Sequence, residues 1–143
     1  MGWYACQEEG VEHSTSFGDQ GWPSKQVIDI PLTSLDSNKT YQVWVHVRQS
    51  EAYPYYNFYF LPKIIDPKGK RFQRTLAEAI FYDPKTGKPR AASGSSIKTH
   101  RYLIFDRLRF KEAGTYRLSL TQYMREDTLK GIVSIGVSLK PQP

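Results

Sequence analysis

Cysteine is almost missing from this chain: there is one, Cys6, in 143 residues. That excludes an internal disulfide framework and a multi-thiolate zinc site, and by itself leaves the redox compartment open. Histidine is nearly as scarce. His13, His46 and His100 are the full set, and no two stand four apart, the spacing of a helix-borne metal pair. No run approaches the roughly 20 apolar residues that cross a bilayer, and the first residues lack the basic start and apolar centre of an export signal. The chain in this form is expected to be soluble. Gly-rich phosphate cradles are absent as well, which leaves nucleotide chemistry without a loop.

Catalytic patterns are equally thin. Ser95-Ser96-Ile97-Lys98 spells Ser-x-x-Lys, but a lysine-activated serine needs a helix start inside a larger acyl-transfer fold. Glu51, Asp66, Glu78, Asp83, Asp106, Glu126 and Asp127 could include a glycosidase acid/base pair, whose separation a sequence does not give, but turn and capping duties account for such carboxylates more often. The expectation is no catalytic residue, no metal site, no cofactor and no enzyme activity.

What is present is bulky and alternating. Ten Tyr, seven Phe and three Trp, with 39% of residues hydrophobic, fill one core in a chain near the usual size of a single domain. In Thr40 to Arg48, Tyr41, Val43, Val45 and Val47 alternate with polar-side residues, the period of a strand with one buried face. Thr115 to Met124 repeats the pattern with Tyr116, Leu118 and Leu120 inward, and so do Val133, Ile135, Val137 and Leu139. Val43, Val45, Leu118, Leu120, Val133 and Ile135 are expected to be buried. Tyr56 to Leu61 is aromatic enough to be covered on both faces, and Pro62 confines the chain beyond it to an edge or bulge. Further strands are expected in Gln26 to Leu32, Phe72 to Tyr82 and Tyr102 to Phe105, separated by Pro/Gly turns. Leu76 to Phe81 has helical composition, but Asp83-Pro84 stops it within two turns, so it reads as strand. The sum is an all-β chain: an antiparallel β-sandwich, jelly-roll or immunoglobulin-like, of seven or eight strands. Residues 1–24 read as an N-terminal tether and 25–143 as the single domain. By composition Gly87 to Thr99 is also poorly structured.

Charge is uneven. Residues 1–60 hold three basic and seven acidic side chains, a balance of −4, while 61–143 hold seventeen and seven, a balance of +10. The basic residues are scattered over several turns with no dense tract, so nucleic acid is not an expected partner.

Identity lies in a few unusual stretches. Tyr53-Pro54-Tyr55-Tyr56-Asn57-Phe58, then Gly114 through Arg125, then Leu129-Lys130-Gly131-Ile132 and Ile135-Gly136-Val137 together resemble the gliding-motility lipoprotein family, GldH, of Bacteroidetes, over roughly Val27 to Leu139. The resemblance implies a cell-envelope lipoprotein without known catalytic activity, lipid-anchored to a membrane and facing the periplasm. Its partners would be envelope proteins of a motility and linked secretion assembly. Cys6, preceded by Ala5, matches the acylated cysteine of that family. The segment Lys88 to Gly94 departs from the family, whose members often carry a tryptophan between glycines there.

The residues of the matched motifs themselves support two readings. Pro54 fixes its own φ and extends Tyr53, making a stiff aromatic corner. Tyr53, Tyr55, Asn57, Gln122, Tyr123 and Arg125 therefore form either a structural motif or a partner-binding patch of hot-spot composition. For Arg125 the structural role is favoured, with its guanidinium pinning the loop Glu126 to Lys130. Exposed aromatics on a β-sandwich also admit a carbohydrate-binding module, with a glycan as the ligand.

Overall fold

A computed structural model describes residues 12–33, 35–90 and 96–142. Eleven strands run in chain order: β1 (Glu12–Ser16), β2 (Trp22–Pro23), β3 (Ile28–Leu32), β4 (Thr40–Ser50), β5 (Asn57–Ile65), β6 (Arg71–Arg74), β7 (Ala77–Ile80), β8 (Ile97–Leu108), β9 (Tyr116–Gln122), β10 (Thr128–Leu129) and β11 (Ile132–Gln142). A single 3-10 turn, Gly18–Gln20, is the one helical element among the described residues. One sheet has the order β1-β11-β4-β8; the other is β3-β9-β5-β6, with β7 also pairing with β5. All pairings are antiparallel, and β2 and β10 form a short ribbon of their own.

This is the expected sandwich, with more strands than the seven or eight read from the sequence. The excess has a simple origin. β6 and β7 are two pieces of one interrupted edge, and the two-residue ribbon stands outside both sheets. With that edge counted once and the ribbon set aside, eight strands ranked in chain order lie as 1-8-3-6 and 2-7-4-5, the doubled Greek key of a jelly roll.

The core lies between the sheets. Val43, Val45 and Val47 face Leu118, Leu120 and Phe60 across it, joined by Trp22, Phe58, Phe81, Phe110 and Tyr116, all buried. Burying one such side chain contributes about 1.5–3 kcal/mol, so this aromatic layer dominates the stability of a chain without a disulfide. Of the six residues expected inside, five are buried; Val133 is only half-buried. A register shift between Ile132 and Ser134 places a bulge at Val133, so the alternation changes phase and Ile132 goes inward instead.

Three other expectations are corrected. Residues 12–24 are part of the sandwich rather than the tether: Glu12 to Ser16 pair with Ser138 to Ser134, and Trp22 is fully buried, its indole N–H donating to the Gln26 carbonyl at 2.9 Å. Pro62 lies within β5, an interior strand, opposite Leu120. Its carbonyl accepts from the Thr75 N–H at 3.2 Å. In a strand a residue's N–H and C=O point the same way, so the missing N–H faces the gap between β6 and β7 and no ladder bond is lost. Finally, Thr99 belongs to β8 and Pro89 bridges to Tyr82, so much of 87–99 is ordered; Ala91 to Ser95, including the first serine of the Ser-x-x-Lys pattern, lie outside the described residues. Lys98 of that pattern is in a strand, not at a helix start.

Candidate functional site

The Tyr-Pro-Tyr corner sits where β4 leaves its sheet. Ser50 N–H donates to the Gly131 carbonyl at 2.8 Å, and the chain turns so closely over that glycine that a Cβ there would lie 2.3 Å from the Tyr53 nitrogen. Gly131 has φ +93°, so the glycine is required twice, by conformation and by space. Tyr53 is buried, its ring meeting Phe81, Phe58 and Tyr55 edge-on at centroid distances of 5.2, 6.3 and 5.6 Å. Its hydroxyl donates to the Asn57 carbonyl at 2.6 Å, and burial pushes its pKa far up. Tyr53 is thus the packed root of the corner.

Around that root the remaining motif residues divide. Gln122 is buried at the end of β9. Its side-chain amide donates to the Glu126 carbonyl at 2.7 Å and to the Trp22 carbonyl at 3.5 Å, while its Oε1 accepts from the Met124 N–H at 2.9 Å. Gln122 therefore closes the loop that Arg125 was expected to pin. Arg125 is exposed, sits at φ +60°, and among the described residues no carbonyl or carboxylate accepts from its guanidinium. Asn57 donates from Nδ2 to Glu78 Oε2 at 2.9 Å, and Tyr55 donates from its hydroxyl to Glu126. Glu78 beside Tyr59 and Glu126 beside Tyr55 hold both phenols above their ordinary range, chiefly by accepting their hydrogen bonds.

Tyr55 and Asn57 thus spend their polar groups on Glu126 and Glu78 at the surface, while large apolar surfaces stay open beside them. Tyr123 is 57% exposed and Leu76 53%, with Tyr56 and Tyr55 at 45% and 37%. Tyr59, Leu76, Tyr123, Met124 and Arg125 line an apolar groove of about 470 Å³. On the other side of the corner, Tyr53 to Tyr56 face Tyr82, Asp83 and Pro84 across a second cleft of about 420 Å³. The structure brings Tyr53, Tyr55, Asn57, Gln122, Tyr123 and Arg125 to one end of the sandwich, and adds Tyr56, Leu76, Glu78 and Glu126, which the sequence motifs did not single out. The run of tyrosines past Pro54 was the available sign of Tyr56; Leu76 had none, because its exposure depends on where β6 ends.

The three histidines are apart in role. His46 Nε2 lies 3.0 Å from Ser138 Oγ on the outer face of the four-stranded sheet. His100 is buried, 3.1 Å from Gln49 Oε1 and 4.5 Å between ring centroids from Phe81. Among the described residues no three His, Cys, Asp or Glu are grouped to hold a metal ion, and no helix there is long and apolar enough to cross a membrane.

A family model described as GldH lipoprotein matches residues 10–139, which takes in every strand of both sheets up to Leu139. The chain belongs to the GldH lipoprotein family. Among its relatives, the gliding motility lipoprotein GldH of Flavobacterium johnsoniae is 25% identical over 144 aligned positions, covering 96% of this chain and 88% of that protein. A gliding motility lipoprotein GldH homolog of Christiangramia forsetii is 23% identical over 128 positions, covering 83% and 76%. Among solved structures, a chain from the crystal structure of accessory secretory protein 1, 2 and 3 in Streptococcus pneumoniae aligns with a TM-score of 0.38 at 12% identity, covering 92% of this chain and 86% of that one, a likeness too distant to bear on function. The GldH relationship agrees with a cell-envelope lipoprotein. Cys6, the residue expected to carry the acyl anchor, lies outside the described residues.

Proposed function

We propose that this domain is a non-enzymatic module of a gliding-motility and linked secretion assembly, tethered through an acylated Cys6, facing the periplasm and acting by protein–protein contact at its aromatic end. The observation that carries the proposal is the exposure of Leu76 and Tyr123 on one side of the Tyr-Pro-Tyr corner and of Tyr55 and Tyr56 on the other, on a GldH-family sandwich where the Tyr55 hydroxyl is bonded within the domain. Rigid aromatics that lose little entropy on contact, rimmed by an arginine, are the usual composition of an interface centre.

The test is a photo-crosslinking residue placed at Tyr123 or Leu76 in the source cell, with Lys39, in the turn before β4 at the other end of the strand, as control. Adducts to envelope proteins at the first two positions and none at Lys39 are expected. The same adducts at all three, or none at the aromatic end, would refute the reading. The anchor is tested separately: palmitate labelling of the full-length protein should vanish in Cys6→Ser.

A second reading draws on the cleft between Tyr55, Tyr56, Tyr82 and Pro84. Exposed tyrosine faces stack on sugar rings, so a glycan array that is bound by the parent and lost in Tyr56→Ala would favour a carbohydrate-binding module.

A further inference from the structure

Five residues, 7–11, separate Cys6 from Glu12, the first residue of β1. The six Cα steps between those two residues reach at most roughly 22 Å. An acylated Cys6 would therefore keep the start of β1, and the sheet it joins, close to the lipid headgroups.

The outer face of that sheet is unlike the rest of the surface. The registers of β1, β11, β4 and β8 set Ser14, Gly136, His46 and Arg101 side by side in one row, next to Glu12, Ser138, Trp44 and Leu103. Gly136 leaves a dip in the row, since a Cβ there would already touch His46 Cβ at 3.5 Å. The groove over it, about 600 Å³, is lined also by Lys140. The Arg101 guanidinium lies over the Trp44 ring, 4.7 Å from its centroid. Among the described residues neither Arg101 nor Lys140 is paired with a carboxylate. The His46 pKa is lowered first by burial, then by Arg101 and Lys140, with Glu12 acting the other way. Two cations without a carboxylate bound to them, beside an exposed serine hydroxyl and over a glycine, are the chemistry that takes a phosphate.

We propose that this groove binds the phosphate of an anionic phospholipid headgroup in the membrane that holds the tether. The proposal rests on acylation of Cys6, which supplies the proximity. Arg101, Lys140 and the exposed Ser14 hydroxyl hold the phosphate, while the half-buried Trp44 and Leu103, which is 41% exposed, face the headgroup layer, where a tryptophan ring is well solvated. Glu12 at the rim opposes the anion and sets an upper limit on affinity.

The test uses the chain without its acyl group, sedimented with phosphatidylcholine vesicles that do or do not contain phosphatidylglycerol. Binding to the anionic vesicles alone is expected, weakening as salt is added. Arg101→Gln and Lys140→Gln should each lower the partition about fivefold and the double variant about thirtyfold, while Glu12→Gln raises it. Arg74→Gln, an exposed cation on the outer face of the opposite sheet, should bind as the parent does. Equal binding to neutral vesicles, an equal loss in Arg74→Gln, or displacement by inorganic phosphate equimolar with the lipid would overturn the proposal. Because no acyl chain is present, failure here leaves the anchor intact, and failure of palmitate labelling at Cys6 leaves the groove's affinity intact.

Discussion

The aromatic end and the outer face of the four-stranded sheet are built on opposite plans. At the aromatic end four of the six motif residues have polar partners within the domain: Tyr53 bonds to the Asn57 carbonyl, Tyr55 to Glu126, Asn57 to Glu78, Gln122 to the Glu126 carbonyl, while the exposed Tyr123 hydroxyl and Arg125 guanidinium find none among the described residues. What is left for solvent is mainly hydrocarbon, held on a rigid base. On the sheet face the cations Arg101 and Lys140 have no carboxylate partner among the described residues, and a glycine leaves space beneath them. The first surface is preorganised and loses little on meeting a shaped partner. The second is held by long flexible side chains and answers to charge, so salt should weaken it and leave the first almost unchanged.

The sharpest way to break the contrast is to disturb the base of the aromatic end. Gly131→Ala puts a Cβ 2.3 Å from the Tyr53 backbone nitrogen and forces a positive φ on alanine. Backbone on both sides cannot yield, so the loss should exceed about 3 kcal/mol in a denaturant melt. Gly136→Ala, whose Cβ meets only ordinary contacts, should cost under about 1 kcal/mol. Equal losses would mean that the two surfaces share one base. Next comes Gln122→Ala, which takes the side-chain donor from the part-buried Glu126 carbonyl and the acceptor from the Met124 N–H and should cost roughly 1–3 kcal/mol. A melt unchanged from the parent would show that the loop is held elsewhere.

How much of this was readable beforehand depends on whether a contact is local. The alternation of Thr40 to Ser50 and of Tyr116 to Leu120 carries its own evidence, because each strand buries one face regardless of its neighbours. Glu12 to Ser16 shows no such alternation: it is an edge strand with one pairing partner, and four of its five side chains are exposed, so its place comes from the β11 ladder alone. Trp22, isolated between Gly21 and Pro23, could not announce that it fills the core. Pro62 misled because the break between β6 and β7 that accommodates it begins at Thr75, thirteen residues further along the chain. At the candidate site the Tyr-Pro-Tyr corner was legible, but the exchange of roles between Gln122 and Arg125 was not, since it depends on which side chain β9 turns inward at its last residue.

Acid separates the two regions by a smaller margin. His100 lies behind the aromatic end against Phe81 and His46 on the sheet face, and burial lowers the pKa of both below the ordinary 6.5. The Gln49 amide donates to the Ser50 carbonyl and Tyr82, so it presents Oε1 to His100, which must donate as neutral Nε2–H. A histidine whose folded pKa is depressed takes up protons more readily when unfolded. Its contribution is therefore complete above about pH 6.5 and declines as pH falls below that value. Stability measured at about pH 7.5 should exceed that at about pH 5.5, with His100→Gln reducing the difference more than His46→Gln. The reverse order would place the acid-sensitive group on the sheet face.

The smallest effect is expected at Arg125, and its sign is the informative part. The residue holds φ +60° at the tip of the loop after β9, a region that costs a residue with a Cβ roughly 1 kcal/mol relative to glycine. Its guanidinium finds no acceptor among the described residues, and the loop is already closed by Gln122. Arg125→Ala retains the strained φ and removes no bond, so it should melt within about ±0.5 kcal/mol of the parent. Arg125→Gly relieves the strain and should raise stability by about 0.5–1 kcal/mol, less whatever the freer unfolded chain takes back. If both variants lose contact with an envelope partner at Tyr123, a costly backbone geometry is being kept for the sake of the side chain it projects. If Arg125→Ala instead destabilises by more than about 1 kcal/mol, the arginine supports the loop after all, and Tyr123 and Leu76 are left to act as the contact surface without it.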